Sequence, residues 1–246
     1  MNNVIVAASG KGGTGKSTVC VGLAVALVKQ NKRVLLIDCD CGMRGLDIML
    51  DVEEEILFDC SDAVSGNCKP ADAVYRSRNM DGLYLMAAPF DTDNEISPSV
   101  FCQLVSELRD NYDYVIIDSP AGLGSGFSTA AAPADRAIIV TNAEPTGLRG
   151  ALKIRRRLLE LDKSDIQMII NRFDRQQFEL LGCYRDLDEV IDAGCTRLAG
   201  LVPNDMRLSS IMQNGCAGLN WCPSSTVFDC IARRLEGERV PLAFKG

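Results

Sequence analysis

Residues Ser9–Thr18, SGKGGTGKST, constrain this chain more than any other stretch. Gly10, Gly15, Lys16 and Ser17 occupy the fixed positions of the phosphate-binding pattern GxxxxGK[ST]. An apolar run, Val4–Ala8, precedes the motif, and a helix-prone run, Val19–Val28, follows it. That strand–loop–helix context is what the pattern requires. Glycines let backbone N–H groups close around phosphate oxygens, and the following helix turns its positive end toward them. The loop Gly10, Lys11, Gly12, Gly13, Thr14, Gly15, Lys16, Ser17 and Thr18 is therefore the expected phosphate cradle. Lys16 is expected on the β- and γ-phosphates, with the Ser17 hydroxyl a ligand for Mg²⁺.

The rest of the sequence is consistent with one α/β domain over residues 1–246. Near-continuous apolar runs at Val4–Ala8 and Val34–Ile37 read as strands buried on both faces. Leu83–Ala87, Tyr114–Ile117, Ala137–Val140, Ile166–Ile170 and Leu198–Val202 read the same way. Helices are expected at about 16–30, 56–65, 98–110, 145–161, 205–214 and 224–236 between them. This alternation predicts βαβ units: a mostly parallel, twisted sheet with helices on both faces.

Composition removes several function classes. The net charge of −7 disfavours strong DNA binding, although local basic faces stay open. No apolar run approaches the roughly 18 residues of a membrane span, and Met1 leads straight into a strand with no signal peptide. Histidine is absent, which excludes His-based triads, bases and metal ligands within the chain. The 11 cysteines contain no C-x-x-C pair and read as reduced, mostly buried thiols of a cytoplasmic protein.

Further signals fall at strand ends. Asp38-Cys39-Asp40 closes the second strand, the edge at which open α/β sheets bind ligands. Tyr114–Ile117 runs into Asp118-Ser119-Pro120-Ala121-Gly122, the Walker B arrangement of an apolar strand ending in a carboxylate for magnesium. Gly122 could offer its N–H to a γ-phosphate, making this loop a switch. Asn171-Arg172 and Pro203-Asn204-Asp205 close two later strands; the asparagine alone suits a cap as well as a base contact. The basic run Lys153–Arg157 is a solvated helix face, a partner site or, least of these, a DNA contact.

Three strings together resemble the MinD/ParA family of deviant Walker A ATPases, and within it the MinD branch. They are KGGTGKS at 11–17, DCDCGMRGLD at 38–47 and IDSPAG at 117–122, in family order along a match that runs to about residue 241. The resemblance implies a single-domain P-loop NTPase of the SIMIBI type, binding ATP or ADP with Mg²⁺. It gives Lys11 a role across an ATP-dependent homodimer, on the phosphates of the other subunit; charge alone would suggest a solvated loop lysine. It also implies that Asp40 positions the attacking water and that Asp38 supports the magnesium shell beside Ser17 and Asp118. Asn171, Arg172, Pro203 and Asp205 would recognise adenine.

The implied work is slow, partner-stimulated ATP hydrolysis in the bacterial cytoplasm, in placing the division site, with a regulator or cargo of MinC or MinE type. A ParA-type partition ATPase or a flagellar-number regulator is the alternative. The nitrogenase iron protein shares the deviant loop but uses a cysteine just beyond switch II, and none occurs between Cys102 and Cys183. Past the last expected helix, the short tail at 241–246 lacks the basic amphipathic helix usual in the MinD branch. Autonomous membrane binding is therefore not expected.

Overall fold

Strands alternate which face each side chain takes, so a strand covered on both sides must be apolar throughout. In the computed structural model, which describes residues 3–41, 44–89, 96–213, 215–222 and 224–242, this produces one eight-stranded sheet. Its strands are β1 (Val4–Ala8), β2 (Val34–Asp38), β3 (Val74–Arg76), β4 (Leu83–Met86), β5 (Tyr114–Asp118), β6 (Arg136–Thr141), β7 (Ile166–Phe173) and β8 (Arg197–Pro203). Their spatial order is β3-β4-β2-β5-β1-β6-β7-β8. Only β3 runs antiparallel to its neighbour. The expected parallel α/β architecture is thus present, with one added edge strand.

The helices are α1 (Lys16–Lys29), α2 (Gly45–Leu50), α3 (Cys60–Ser65), α4 (Pro98–Arg109), α5 (Ser125–Ala131), α6 (Pro145–Glu160), α7 (Arg175–Leu181), α8 (Leu187–Gly194), α9 (Met206–Gln213) and α10 (Ser225–Leu235). They form a layer on each face. Ile5, Ala7, Val34, Leu36 and Ile116 point to the face covered by α1 and α10, where Phe228 and Ile231 are fully buried. Val4, Val6, Leu35, Ile37, Val115 and Ile117 point the other way, onto Phe101 and Leu104 of α4, Phe127 of α5 and Ile154 of α6. Each apolar strand residue therefore has a partner layer, which is why β1, β2 and β5 carry no solvent face.

Some boundaries differ from the sequence expectation for local reasons. The helix expected over 56–65 begins only at Cys60, because Asp59 caps it, its carboxylate accepting from Ser61 N and Asp62 N while the Asp62 carboxylate accepts from Asp59 N. The preceding Leu57 and Phe58 N–H groups go instead to the Tyr75 hydroxyl, at 2.9 and 2.8 Å. β7 runs three residues beyond Ile170 to Phe173. Asn171 and Arg172 therefore lie within its last stretch, where the pairing with β8 shifts register and Arg172 takes φ 53°. Helices α2, α5, α7 and α8 and strand β3 have no counterpart among the expected elements. None is longer than 8 residues, too short for hydrophobic periodicity to show.

After α10 the chain turns back along β8. Arg234 holds it there: Nε donates to the Val240 carbonyl at 2.9 Å, Nη2 to Pro241 at 2.6 Å and Nη1 to Ala199 of β8 at 2.8 Å. Leu242 then lines a small apolar cleft together with Leu187, Leu198, Leu201 and Val227, and stays half exposed. Of the tail at 241–246, residues 243–246 lie outside the described residues.

Candidate nucleotide site

Parallel pairing brings the predicted residues to one edge of the sheet. Ala7 of β1 and Asp38 of β2 both pair with Asp118 of β5, so the loops after these strands start side by side. The loop between β1 and α1 needs glycine at Gly13 (φ 77°) and Gly15 (φ 82°), a left-handed region costly for other residues. Gly10 is fixed by proximity instead. A Cβ there would lie 2.4 Å from the Gly150 Cα of α6, so the loop and the helix touch backbone to backbone.

Lys16 opens α1 and turns inward, where its Nζ pairs with Asp118 Oδ1; their side chains are 6% and 1% exposed. Burial alone would lower the lysine pKa, but Asp118, with Cys20 and Asp40, raises it above the ordinary value. Cys20, one helical turn after Lys16, points its Sγ at the same Oδ1 at 3.6 Å. Burial and then Asp118 push this thiol well above its usual pKa, keeping it a protonated donor. Asp38 is buried beside them and accepts from Asp40 N at 2.9 Å; burial and then Asp118 raise its carboxyl to about 7. Asp40 is partly exposed, its pKa raised by burial and partly restored by Lys16. Three carboxylates thus converge on one lysine.

Among the described residues, two buried polar atoms in this cluster lack a hydrogen-bond partner: Asp118 Oδ2 and Thr14 Oγ1. Orphaned buried oxygens cost free energy unless a ligand or ion satisfies them. Ser17 is partly exposed at the start of α1. A hard oxygen set of Ser17, Asp118 and Asp38 beside an inward lysine fits magnesium held with phosphates, and magnesium takes few protein carboxylates. Lys11, Gly12 and Gly13 are exposed on the outer side of the loop. Thr18, on the first turn of α1, is partly buried.

The switch-like loops are tied to this cluster. Gly122 (φ 90°) donates its N–H to the Ser9 carbonyl at 2.9 Å, so the group expected to face a γ-phosphate is on the phosphate loop itself. Arg44 pairs with Asp47 at 3.3 Å just after Asp40; Gly42 and Met43, within the same motif string, lie outside the described residues. A cleft of about 250 Å³ opens beside Asp40, walled by both switch-like segments and by Phe101 and Ile96.

The base-side residues also meet at one end. Asn171 Nδ2 donates to the Thr14 carbonyl at 2.7 Å and would overlap a Cβ on Gly15, so the asparagine braces the phosphate loop. Phe173 pairs with Pro203, and Asn204 N donates to the Phe173 carbonyl at 2.9 Å, which places Asn171–Arg172 next to Pro203–Asp205. The Asp205 carboxylate caps α9 through Arg207 N at 2.9 Å and accepts from Ser224 Oγ at 2.9 Å and Cys222 Sγ at 3.1 Å. Burial would raise its pKa, but bonds from Cys222 and Ser224 hold it below the usual carboxylate value.

Comparison with known proteins agrees with this geometry. A family model described as an AAA domain matches residues 2–170. The septum site-determining protein MinD of Synechocystis is 35% identical, over 98% of this chain and 92% of its own length. The chain belongs to the MinD family. Its fold superposes on MinD in the MinC:MinD cell division complex of Aquifex aeolicus with a TM-score of 0.89, at 33% identity over 99% of this chain and 100% of that one. Pyrococcus horikoshii MinD, solved with Mg-ADP, gives 0.84 at 27% identity over 96% of each chain. The chain is thus of the MinD-type cell-division ATPases in both sequence and fold.

Within the MinD pattern, motif reading missed three contacts. Cys20 is visible only as the residue four positions after Lys16, on the same helical face. Gly150 carries no sequence signal, since its importance comes from a neighbour distant in the chain. The Asn171 contact with Thr14 likewise depends on tertiary placement.

The cysteines are all free, but only Cys20, Cys60, Cys216 and Cys222 are buried, which corrects the expectation of mostly buried thiols: the others sit in loops, at helix ends or at half-covered helix positions. Among the described residues, no helix is long and apolar enough to cross a membrane.

Proposed function

We propose that the chain binds Mg-ATP in the loop Gly10–Thr18, dimerises in that state and hydrolyses ATP to ADP and phosphate, working from the bacterial cytoplasm in division-site placement. The observation that carries this reading is the buried Lys16–Asp118 pair with Asp118 Oδ2 left unsatisfied. Lys16 is the cation that phosphates would claim, and its move would release the ion pair at Asp118 Oδ1 and leave Oδ2 open to a metal. Ser17, Asp118 and Asp38 would then hold Mg²⁺, which supplies charge neutralisation on the phosphate oxygens when bound.

Asp40 is the carboxylate that orients the attacking water, being the partly exposed acid of the cluster. The water oxygen would bond to the γ-phosphorus as the bond to the bridging oxygen breaks; ADP would leave with that electron pair, the water's proton would pass to the released phosphate, and Lys16 and Lys11 would offset the charge. Exposed Lys11 suits a role on the phosphates of a second subunit. Release of the Gly122 N–H from Ser9 would let the switch II loop report the γ-phosphate. Asn171 and Arg172, with Pro203 and Asp205, would frame the adenine.

A regulator of MinC type is the proposed partner, because the similar Aquifex protein was solved with MinC. The outer face of α6 is its proposed seat, where Arg149, Lys153 and Arg156 are exposed beside the phosphate loop. No strong DNA binding is proposed, because the net charge of −7 opposes approach of a polyanion.

Phosphate release from ATP by the wild type, Lys16→Ala and Asp40→Ala tests the reading. Wild type should turn over slowly, Lys16→Ala should bind no Mg-ATP, and Asp40→Ala should bind without turnover. Unchanged turnover in both variants would overturn it.

A further inference from the structure

The orientation of Asp118 rests on two donors, both at one of its oxygens. Oδ1 faces Lys16 Nζ and lies 3.6 Å from Cys20 Sγ, while Oδ2 is buried without a partner. Lys16 and Cys20 sit four residues apart on α1, so both approach the carboxylate from the same helical face. They differ in what binding would ask of them. Lys16 sits on a long, flexible stem and is the group phosphates draw away. The Cys20 side chain has a single short arm, is 1% exposed and is packed in the core beneath α1. It has nowhere else to go.

We propose that Cys20 is a positioning residue for the magnesium site. Its thiol keeps hold of Asp118 Oδ1 when Lys16 transfers to the phosphates, so that Oδ2 stays aimed at the metal position. This inference rests on the Mg-nucleotide reading above and adds a residue that no phosphate-loop pattern specifies. Partners that orient a metal-binding carboxylate are worth about 10–100-fold in metal affinity, and a thiol is a weak donor, so the lower end applies.

The test is calorimetric titration of ADP into the full chain, with chelator and with magnesium, for wild type, Cys20→Ala, Cys20→Val and Cys20→Ser. Valine fills the thiol's space without a donor, and serine restores a donor. Alanine and valine should leave chelated ADP affinity unchanged but lose about tenfold of the magnesium-linked gain. Serine should recover it. A packing role would instead lower the melting temperature of the alanine variant and spare the valine variant, with the magnesium-linked gain intact in both. That result, or a wild-type magnesium midpoint in both donor-free variants, overturns the proposal. Absence of magnesium-dependent ADP binding in the wild type would sink the nucleotide reading itself, an outcome visible before any variant is compared.

Discussion

Lys16 Nζ and Asp118 Oδ1 are paired in the interior, between the first turn of α1 and the end of β5. Each partner keeps the other's charge compensated where water barely reaches. Two neighbouring acids, Asp38 and Asp40, are drawn to the same lysine. The pair is therefore a stability element of the nucleotide-free protein as well as the place where phosphate binding begins.

Urea unfolding of Lys16→Met, Asp118→Asn and the double variant, without nucleotide, should reveal that coupling. We expect the double variant to lose less than the sum of the singles, by about 1–3 kcal/mol. Additive losses would mean the pair contributes nothing to the free protein.

Lys11 is expected to act only between subunits. With ATP, Asp40→Ala should double its mass by light scattering, and adding Lys11→Ala should return it to the monomer. A dimer in the combined variant would confine Lys11 to a solvated loop.

Stability should depend on pH through Asp38. Its carboxyl is ordinary when unfolded, near 3.8, and raised to about 7 in the fold, by burial and then by Asp118. The folded state therefore holds the proton more tightly, and the associated stability is present below 3.8 and lost as pH climbs to about 7. Denaturation midpoints of the free protein should fall over that window, and Asp38→Asn should flatten the fall. An identical pH profile in the variant would assign the dependence elsewhere.

Gly10→Ala should be far more damaging than an alanine in an open loop. Its Cβ would come within 2.4 Å of Gly150 Cα, and no side chain is available to move aside. Gly12→Ala is the control, because its Cβ would meet nothing within 4 Å. Gly10→Ala should lower both melting temperature and ADP affinity, with Gly12→Ala close to wild type in melting temperature. Equal melting temperatures would show that α6 can retreat without cost.

Much of this was legible in the chain. Fully buried parallel strands announce themselves as apolar runs, and GKGGTGKS can hardly be read as anything but a phosphate loop. Asp38, Asp40 and Asp118 were placed correctly at strand ends because strand termini are local features. What depended on distant neighbours was not legible. Nothing near Asn171 says that its amide braces Thr14, and nothing near Asp205 says that Ser224 and Cys222 occupy its carboxylate. The start of α3 turned on a cap at Asp59, a detail finer than hydrophobic periodicity resolves.

The Arg234 clamp has a consequence for how copies of this chain can meet. β8 is the outermost strand on its side, and an open strand edge invites another chain to extend the sheet. Here the Ala199 carbonyl is already taken by a guanidinium that also carries the returning backbone of Val240 and Pro241. An incoming strand would find an acceptor occupied and a cation in its path. The opposite edge is only three residues of β3, ending in the exposed Arg76. Both margins thus resist lateral growth of the sheet, which suits the dimer proposed above to the face that bears the loops, where contact would depend on what those loops hold.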